Sequence, residues 1–153
     1  MYLTLLNDFI VEAKSQTYVG GGEKISACRP GSQDIGYERG EWRYLDSYFG
    51  GTDFLGQETV WQDDEPVWAM NYYGHILVPA LIDGAVAGAV VKEARAALYR
   101  EGRFLGDFSY GTARMRFDNG STGACHRFLG VERIFVAEVE AYRLHYHGGL
   151  IRP

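Results

Sequence analysis

Apolar residues recur at helical spacing in two stretches of the chain. Near the N-terminus, Leu6, Phe9, Ile10 and Ala13 follow the i, i+3, i+4, i+7 spacing of one buried helix face. A second helix is predicted from Asp83, a good N-cap residue, to about residue 100, because this stretch is rich in alanine and valine. The pattern therefore predicts two helices, one in each half of the chain.

Elsewhere the apolar residues alternate with a period of two, which is typical of β-strands. The alternation predicts three strands in each half, at about residues 42–48, 54–62, 66–73, 107–117, 124–136 and 140–147. Glycine- and aspartate-rich segments between them predict tight turns. Residues 18–40 show no period and are predicted to form one long Gly-rich loop.

Two of the predicted hairpins resemble each other in sequence. Segment 54–77 aligns without gaps to segment 128–151, and the identical pairs are Phe54/Phe128, Leu55/Leu129, Gly56/Gly130, Glu58/Glu132, Tyr72/Tyr146 and Gly74/Gly148. Two unrelated hairpins can share an alternating pattern, but we interpret the match as an internal duplication with halves at about residues 1–78 and 79–153.

The predicted fold is a single α+β domain over residues 1–153. It consists of a duplicated α-β-β-β unit with a mostly antiparallel sheet and two helices packed on one face. If residues 63–66 form the loop of the first hairpin, one face of the hairpins is apolar. That face carries Leu55, Trp61, Trp68, Met70, Tyr72 and their counterparts in the second half, and is expected to form the core.

The opposite face is predicted to be polar and to hold the candidate site. It carries Glu58, Asn71 and Tyr73 in the first hairpin, and Glu132, His145 and His147 in the second. Each glutamate is expected to lie directly opposite a polar residue, Glu58 opposite Asn71 and Glu132 opposite His145. The neighbouring strand adds four candidate ligand-binding residues: Trp42, Tyr44, Asp46 and Tyr48. The alternatives for this face are an ordinary solvated surface and a dimer interface.

Composition narrows the function classes. The 153-residue chain has a formal net charge of -5 and no clustered basic stretch, so direct nucleic-acid binding is not expected. No apolar run approaches the roughly 20 residues of a membrane span, and no signal peptide is recognisable. The two cysteines lack zinc or CxxC spacing and are expected to be free thiols, which favours a cytoplasmic location.

Catalytic motifs give weaker signals. His145 and His147 would lie on one side of a strand with Glu132 opposite, which is a candidate two-histidine, one-carboxylate metal set or an acid/base pair. However, the sequence contains no GxSxG, HExxH or Walker motif. No cofactor is therefore expected, and a hydrolase-like enzyme using these three residues is an alternative interpretation.

Several motifs together resemble an uncharacterised bacterial family, classed only as a domain of unknown function. They lie at Tyr18 and at residues 20–24, 29–32, 46–51, 54–58, 66–74, 101–106 and 146–149, whose letters are GGGEK, RPGS, DSYFGG, FLGQE, PVWAMNYYG, EGRFLG and YHGG. Members of that family occur free-standing and behind helix-turn-helix regulators of the XRE type. The resemblance implies a sensing role but supplies no catalytic residues, and this chain shows no helix-turn-helix part.

The leading hypothesis is a cytosolic domain that binds or senses a small ligand on the aromatic and polar sheet face. The alternatives are the enzyme that uses Glu132, His145 and His147, and a protein-interaction or dimerisation module in which this chain forms a homodimer.

Overall fold

The computed structural model describes residues 2–152, which form two helices and nine strands. Helix α1 spans Tyr2–Gln16 and α2 spans Gly84–Tyr99. The strands are β1 Lys24–Ile25, β2 Gln33–Arg39, β3 Trp42–Gly50, β4 Phe54–Gln62, β5 Glu65–Ile76, β6 Phe108–Gly111, β7 Met115–Ala124, β8 Arg127–Val136 and β9 Val139–Leu150. The α+β class, with two helices on one face of an antiparallel sheet, is confirmed.

The strands form one antiparallel sheet in the order β1-β2-β3-β4-β5-β9-β8-β7-β6. Strands β5 and β9 are its centre, where Tyr72 lies opposite Tyr146. Because this pairing is antiparallel, the two hairpins that resemble each other are related by an approximate twofold axis through the tyrosine pair. The geometry agrees with the proposed duplication, while a common origin of the halves stays a prediction.

Both helices were placed correctly from the sequence. The predicted stripe of α1, formed by Leu6, Phe9, Ile10 and Ala13, is fully buried against the sheet. The Asp83 carboxylate caps α2 by accepting a 2.8 Å hydrogen bond from the Val86 backbone N–H. Neither helix in residues 2–152 is sufficiently long and apolar to cross a membrane.

The predicted long loop at residues 18–40 is wrong over part of its length, since β1 and β2 lie inside it. Strand β2 is hard to recognise because it buries a carboxylate. Asp34 accepts hydrogen bonds from the Cys28 backbone N–H (2.9 Å) and the Ser47 hydroxyl (2.8 Å). These partners satisfy the buried charge of Asp34. The aspartate itself interrupts the apolar alternation that is expected of a strand.

The first half has five strands and the second half has four, where three were predicted in each. In the second half, the predicted strand at 107–117 is two strands, β6 and β7, and residues 118–121 continue β7 instead of turning. Asparagine is a common turn residue, which is why the sequence suggested a turn at Asn119. Here it is buried in β7 and its side-chain amide donates a 2.6 Å hydrogen bond to the Gly106 carbonyl.

The register of the two hairpins corrects the predicted faces. Both hairpins turn on two residues with positive φ, 48° and 66° at Asp63-Asp64 and 46° and 66° at Ala137-Glu138. Each pairing then shifts by one residue, between Val60 and Trp61 in β4 and between Ile134 and Phe135 in β8. Such a bulge moves the side chains beyond it to the other face.

As a result, Glu58 lies opposite Met70 and Glu132 lies opposite Leu144. Both glutamates therefore belong to the face that the helices cover. The expected pairings of Glu58 with Asn71 and of Glu132 with His145 are wrong. Leu55 is 52% exposed and lies on the opposite face, hereafter called the outer face, so its assignment to the core is also wrong.

Glycine gaps allow the central tyrosines to lie flat on the sheet. On the helix-covered face, Tyr72 lies across Gly56, and Tyr146 lies across Gly130 in the second half. A Cβ atom at either glycine would overlap with the tyrosine side chain. The identical Gly/Tyr pairs found in the sequence repeat therefore serve packing, because each glycine leaves room for the tyrosine side chain.

Gly130→Ala is expected to destabilise the protein by about 1–3 kcal/mol, because the added methyl group collides with the Tyr146 ring. Gly51→Ala is the control, since no atom lies within 4 Å of the added Cβ. Its stability change should stay within about 0.5 kcal/mol. Urea unfolding measures both, and equal stabilities of the two variants would contradict the packing role of Gly130.

Candidate functional site

A pocket of about 210 Å³ lies between α2, which belongs to the second half, and strands of the first half. Strands β3, β4 and β5 form its floor and α2 forms its roof. Aromatic residues and small residues make up most of the wall. The pocket is lined by Tyr18, Gln33, Asp46, Tyr48, Gly50, Gly51, Thr52, Phe54, Glu58, Tyr72, Gly84, Ala87, Gly88, Val91, Arg95 and Tyr142.

The space under α2 follows from its small residues. Gly84, Ala87 and Gly88 face the sheet where larger residues would fill the pocket. A Cβ at Gly88 would make only an ordinary contact, at 3.7 Å from the Tyr18 hydroxyl. The helix therefore lies over the sheet without closing the space beneath it.

Two buried ion pairs connect the helices to the sheet beside the pocket. Lys14 of α1 pairs with Glu58 of β4, and both residues are at most 5% exposed. Arg95 of α2 binds Glu132 of β8 through two hydrogen bonds, Nε to Oε1 at 2.9 Å and Nη2 to Oε2 at 2.8 Å. Bidentate geometry makes such pairs directional as well as strong.

Asp46 differs from these glutamates because it forms no ion pair within residues 2–152. It is 4% exposed, and its Oδ1 accepts a 2.6 Å hydrogen bond from the Tyr72 hydroxyl. Burial raises the pKa of Asp46 to about 7, and the negative charge of Glu58, its cross-strand neighbour, acts in the same direction. Asp46 is thus a buried carboxylate that lacks a cation.

Tyr142 contributes an unsatisfied hydroxyl to the wall of the pocket. The residue is 1% exposed, and its hydroxyl has no hydrogen-bond partner in the described part of the chain. Burial raises the pKa of this hydroxyl above its ordinary value, so it stays protonated. Buried hydroxyls are nearly always paired, so this one indicates a missing partner.

The second half of the molecule contains a closed version of the same arrangement. Asn119 takes the place of Asp46 beside Glu132, and its Oδ1 accepts a 2.8 Å hydrogen bond from the Tyr146 hydroxyl. The side-chain amide of Asn119 bonds the Gly106 carbonyl. Every polar group there has a partner inside the protein, in contrast to the open site around Asp46.

The structure brings four of the ten predicted site residues to this region. Asp46, Tyr48 and Glu58 line the pocket, and Glu132 is bound to Arg95 at its edge. Tyr44 is buried on the same face of β3 as Asp46 but does not line the pocket. Trp42 lies farther away and packs on Phe9 of α1, with ring centroids 5.4 Å apart.

The other four predicted residues lie on the outer face. Asn71, Tyr73, His145 and His147 are exposed and line a shallow groove of about 500 Å³ together with Arg29. Glu132 points to the helix-covered face, so it cannot share a metal ion with His145 and His147. The proposed metal set is therefore wrong. Across residues 2–152, no three His, Cys, Asp or Glu side chains form a metal-binding group.

Sequence reasoning missed Lys14, Tyr18, Tyr72, Arg95 and Tyr142 as site residues. The sequence did contain a signal for the two cations, Lys14 and Arg95. Lys14 follows Ile10 by four residues and Arg95 follows Val91 by four, so both charges lie on the buried stripe of their helix. A charged residue at such a position needs a buried partner.

Arg95→Met is expected to destabilise the protein by about 3–5 kcal/mol, because it leaves the Glu132 carboxylate buried without a partner. The double variant Arg95→Met/Glu132→Leu should recover most of that loss. Arg43→Met, which removes the exposed pair with Asp64, is the control and should change stability by at most about 1 kcal/mol. Denaturant unfolding decides, and a small effect for Arg95→Met alone would contradict the structural role of this pair.

Tyr142→Phe is expected to stabilise the unliganded protein by about 1 kcal/mol, because it removes an unpaired buried hydroxyl. The matched control is Tyr146→Phe, which removes the hydrogen bond to Asn119 and should be destabilising by a similar amount. Thermal and urea unfolding both report these changes. Destabilisation by Tyr142→Phe would show that its hydroxyl has a partner in the empty pocket.

Comparison with known proteins places most of this site inside one family. A family model described as a domain of unknown function, DUF5680, matches residues 46–151, more than two thirds of the chain. The match includes Asp46, Glu58, Arg95 and Tyr142, and begins after α1. No curated protein and no solved structure matches the chain. The protein therefore belongs to the DUF5680 family of domains of unknown function.

Proposed function

We propose that the protein is a small-ligand-binding domain and that its site is the pocket under α2. The observation that carries this proposal is a pair of polar groups in one aromatic pocket. Within residues 2–152, the Asp46 carboxylate has no cation partner and the Tyr142 hydroxyl has no hydrogen-bond partner. A concave apolar site with a few convergent polar groups is the usual form of a small-molecule site. A ligand that bonds both groups would remove both deficits.

The size of the pocket limits the ligand. Its 210 Å³ is less than the roughly 300–1,000 Å³ of sites for drug-sized molecules. The ligand is therefore a small molecule, or a larger one that inserts only one end. The Tyr18, Tyr48 and Phe54 rings suit an apolar or aromatic body, while Asp46 and Tyr142 fix its polar end.

A sensing role in the bacterial cytoplasm is part of the same proposal. It is supported by the resemblance to domains attached to XRE-type regulators and by the two free cysteines, Cys28 and Cys125. A ligand under α2 would contact Gly84, Gly88 and Val91, so binding would bias the position of this helix. Displacement of α2 would also act on the Arg95–Glu132 pair, and through it on strand β8.

The alternatives have less support from the geometry. The enzyme hypothesis depended on Glu132, His145 and His147, which lie on opposite faces of the sheet. Self-association remains an alternative that would use the outer face, where Leu55, Tyr73 and Leu129 are exposed. The pocket under α2 has the more specific chemistry of the two.

Gly88→Leu is expected to lower the affinity for the ligand at least about tenfold, because the leucine side chain occupies the pocket. Leucine also favours helix over glycine, so the fold should be preserved. Ala89→Leu, on the exposed side of α2, is the control that introduces the same side chain. The measurement is ligand-detected NMR of a library of small aromatic fragments against the wild type and both variants.

Fragments that bind wild type and Ala89→Leu but not Gly88→Leu would support the proposed site. If all bound fragments are unaffected by Gly88→Leu, the pocket under α2 is not the binding site. If no fragment binds the wild type, the proposed function itself fails.

A further inference from the structure

We propose that the ligand of this pocket is a small organic cation, with an ammonium or amidinium group that pairs with the Asp46 carboxylate and an apolar body between the aromatic walls. This inference rests on the proposed function, because it names the chemical class of ligand for the same site.

The buried charges around the pocket do not balance. The helix-covered face around the pocket holds three carboxylates, Asp46, Glu58 and Glu132, and two cations, Lys14 and Arg95. Lys14 is committed to Glu58, and both hydrogen-bonding edges of Glu132 are used by Arg95. A buried carboxylate without a partner is strongly unfavourable, so one further cation completes the set.

The Asp46 carboxylate is held in an orientation that leaves one oxygen available to the pocket. Its Oδ1 accepts the Tyr72 hydroxyl at 2.6 Å, which fixes the carboxylate in place and leaves lone pairs on Oδ2 for a donor. The residue lines the pocket, so a donor inside the pocket can reach it. Glu58 lies directly across the strand pair from Asp46 and makes the local potential more negative.

The aromatic wall of the pocket also favours a cation. The Tyr18, Tyr48, Phe54 and Tyr142 rings line the pocket, and a cation near the face of such a ring is stabilised. Tyr18 already serves this purpose for protein cations, since the Lys92 Nζ lies 4.9 Å and the Arg95 guanidinium carbon 5.9 Å from its ring centre. An anionic ligand would instead meet the Asp46 and Glu58 carboxylates.

The pocket should also show a characteristic pH dependence. The charged and titratable groups around Asp46 are Glu58 from β4, Tyr72 from β5, Tyr44 and Tyr48 from its own strand, Lys14 from α1, Arg95 and Tyr99 from α2 and Tyr18 after α1. Burial and Glu58 outweigh Lys14 and Arg95, which raises the pKa of Asp46 to about 7. A cation binds the deprotonated form, so its affinity should rise as the pH increases through this value.

The test uses three nearly isosteric probes on the full chain: benzamidinium as the cation, benzamide as the neutral analogue and benzoate as the anion. Isothermal titration calorimetry at about pH 6 and about pH 8 gives their affinities, and benzamidinium keeps its charge at both. We expect benzamidinium to bind at least about tenfold more tightly than benzamide at the higher pH, to weaken at the lower pH, and benzoate not to bind.

The diagnostic variant is Asp46→Asn, which should abolish both the preference for the cation and the pH dependence. It is expected to fold, because Asn119 takes the same position in the second half and accepts the tyrosine hydroxyl in the same way. Asp8→Asn removes one exposed carboxylate on α1 and is the matched control for net charge. This control should bind benzamidinium like the wild type.

The outcomes separate this inference from the proposed function. Equal or tighter binding of benzamide overturns the cationic class, and a cation preference that survives in Asp46→Asn overturns the pairing with Asp46, while in both cases the pocket stays a binding site. If none of the three probes binds at millimolar concentration but Gly88→Leu blocks other fragments, the cationic class is likewise overturned. If no fragment depends on Gly88, the proposed function fails and this inference fails with it.

Discussion

The structure depends on the two-residue turns at Asp63-Asp64 and Ala137-Glu138 and on the bulges that follow them. Both turns require positive φ at two consecutive non-glycine residues, and each bulge shifts the pairing of its hairpin by one position. A shift of one position exchanges the two faces of a strand relative to its partner. These two local constraints place Glu58 and Glu132 beneath the helices instead of toward solvent.

Once the glutamates face inward, the helices must supply their partners. Lys14 and Arg95 do so from the buried stripes of α1 and α2, and the resulting ion pairs link residues far apart in sequence. Buried ion pairs of this kind stabilise little compared with apolar packing, but they strongly disfavour arrangements in which one partner is lost. They therefore help to fix where each helix lies on the sheet.

The two halves share this framework and differ at one position beside the central tyrosines. In the second half, Asn119 bonds both Tyr146 and the Gly106 carbonyl, which closes that region. In the first half, Asp46 bonds Tyr72 alone, under a helix whose glycines leave space. An approximately symmetric fold thus produces one sealed polar cluster and one open pocket, whose wall includes the Tyr142 hydroxyl, unpaired within residues 2–152.

The sequence alone determined the elements whose signals are local. The stripe of α1 and the cap of α2 at Asp83 follow from side chains within a few residues, and so do the alternating hairpins. Asp46, Tyr48 and Glu58 were also recognised as candidate site residues. Strand β2 was not recognised, because the buried Asp34 is satisfied by partners outside the strand.

Only the tertiary structure decided which residues meet. An alternating pattern has the same period with or without a bulge, so the sequence could not assign Glu58 to the helix-covered face or Asn71 to the outer face. The partners of the buried charges lie 44 residues apart for Lys14 and Glu58 and 37 apart for Arg95 and Glu132, beyond the range of any local pattern. The sequence therefore supplied the groups of the site, while the register and the helix packing determined which of them share a pocket.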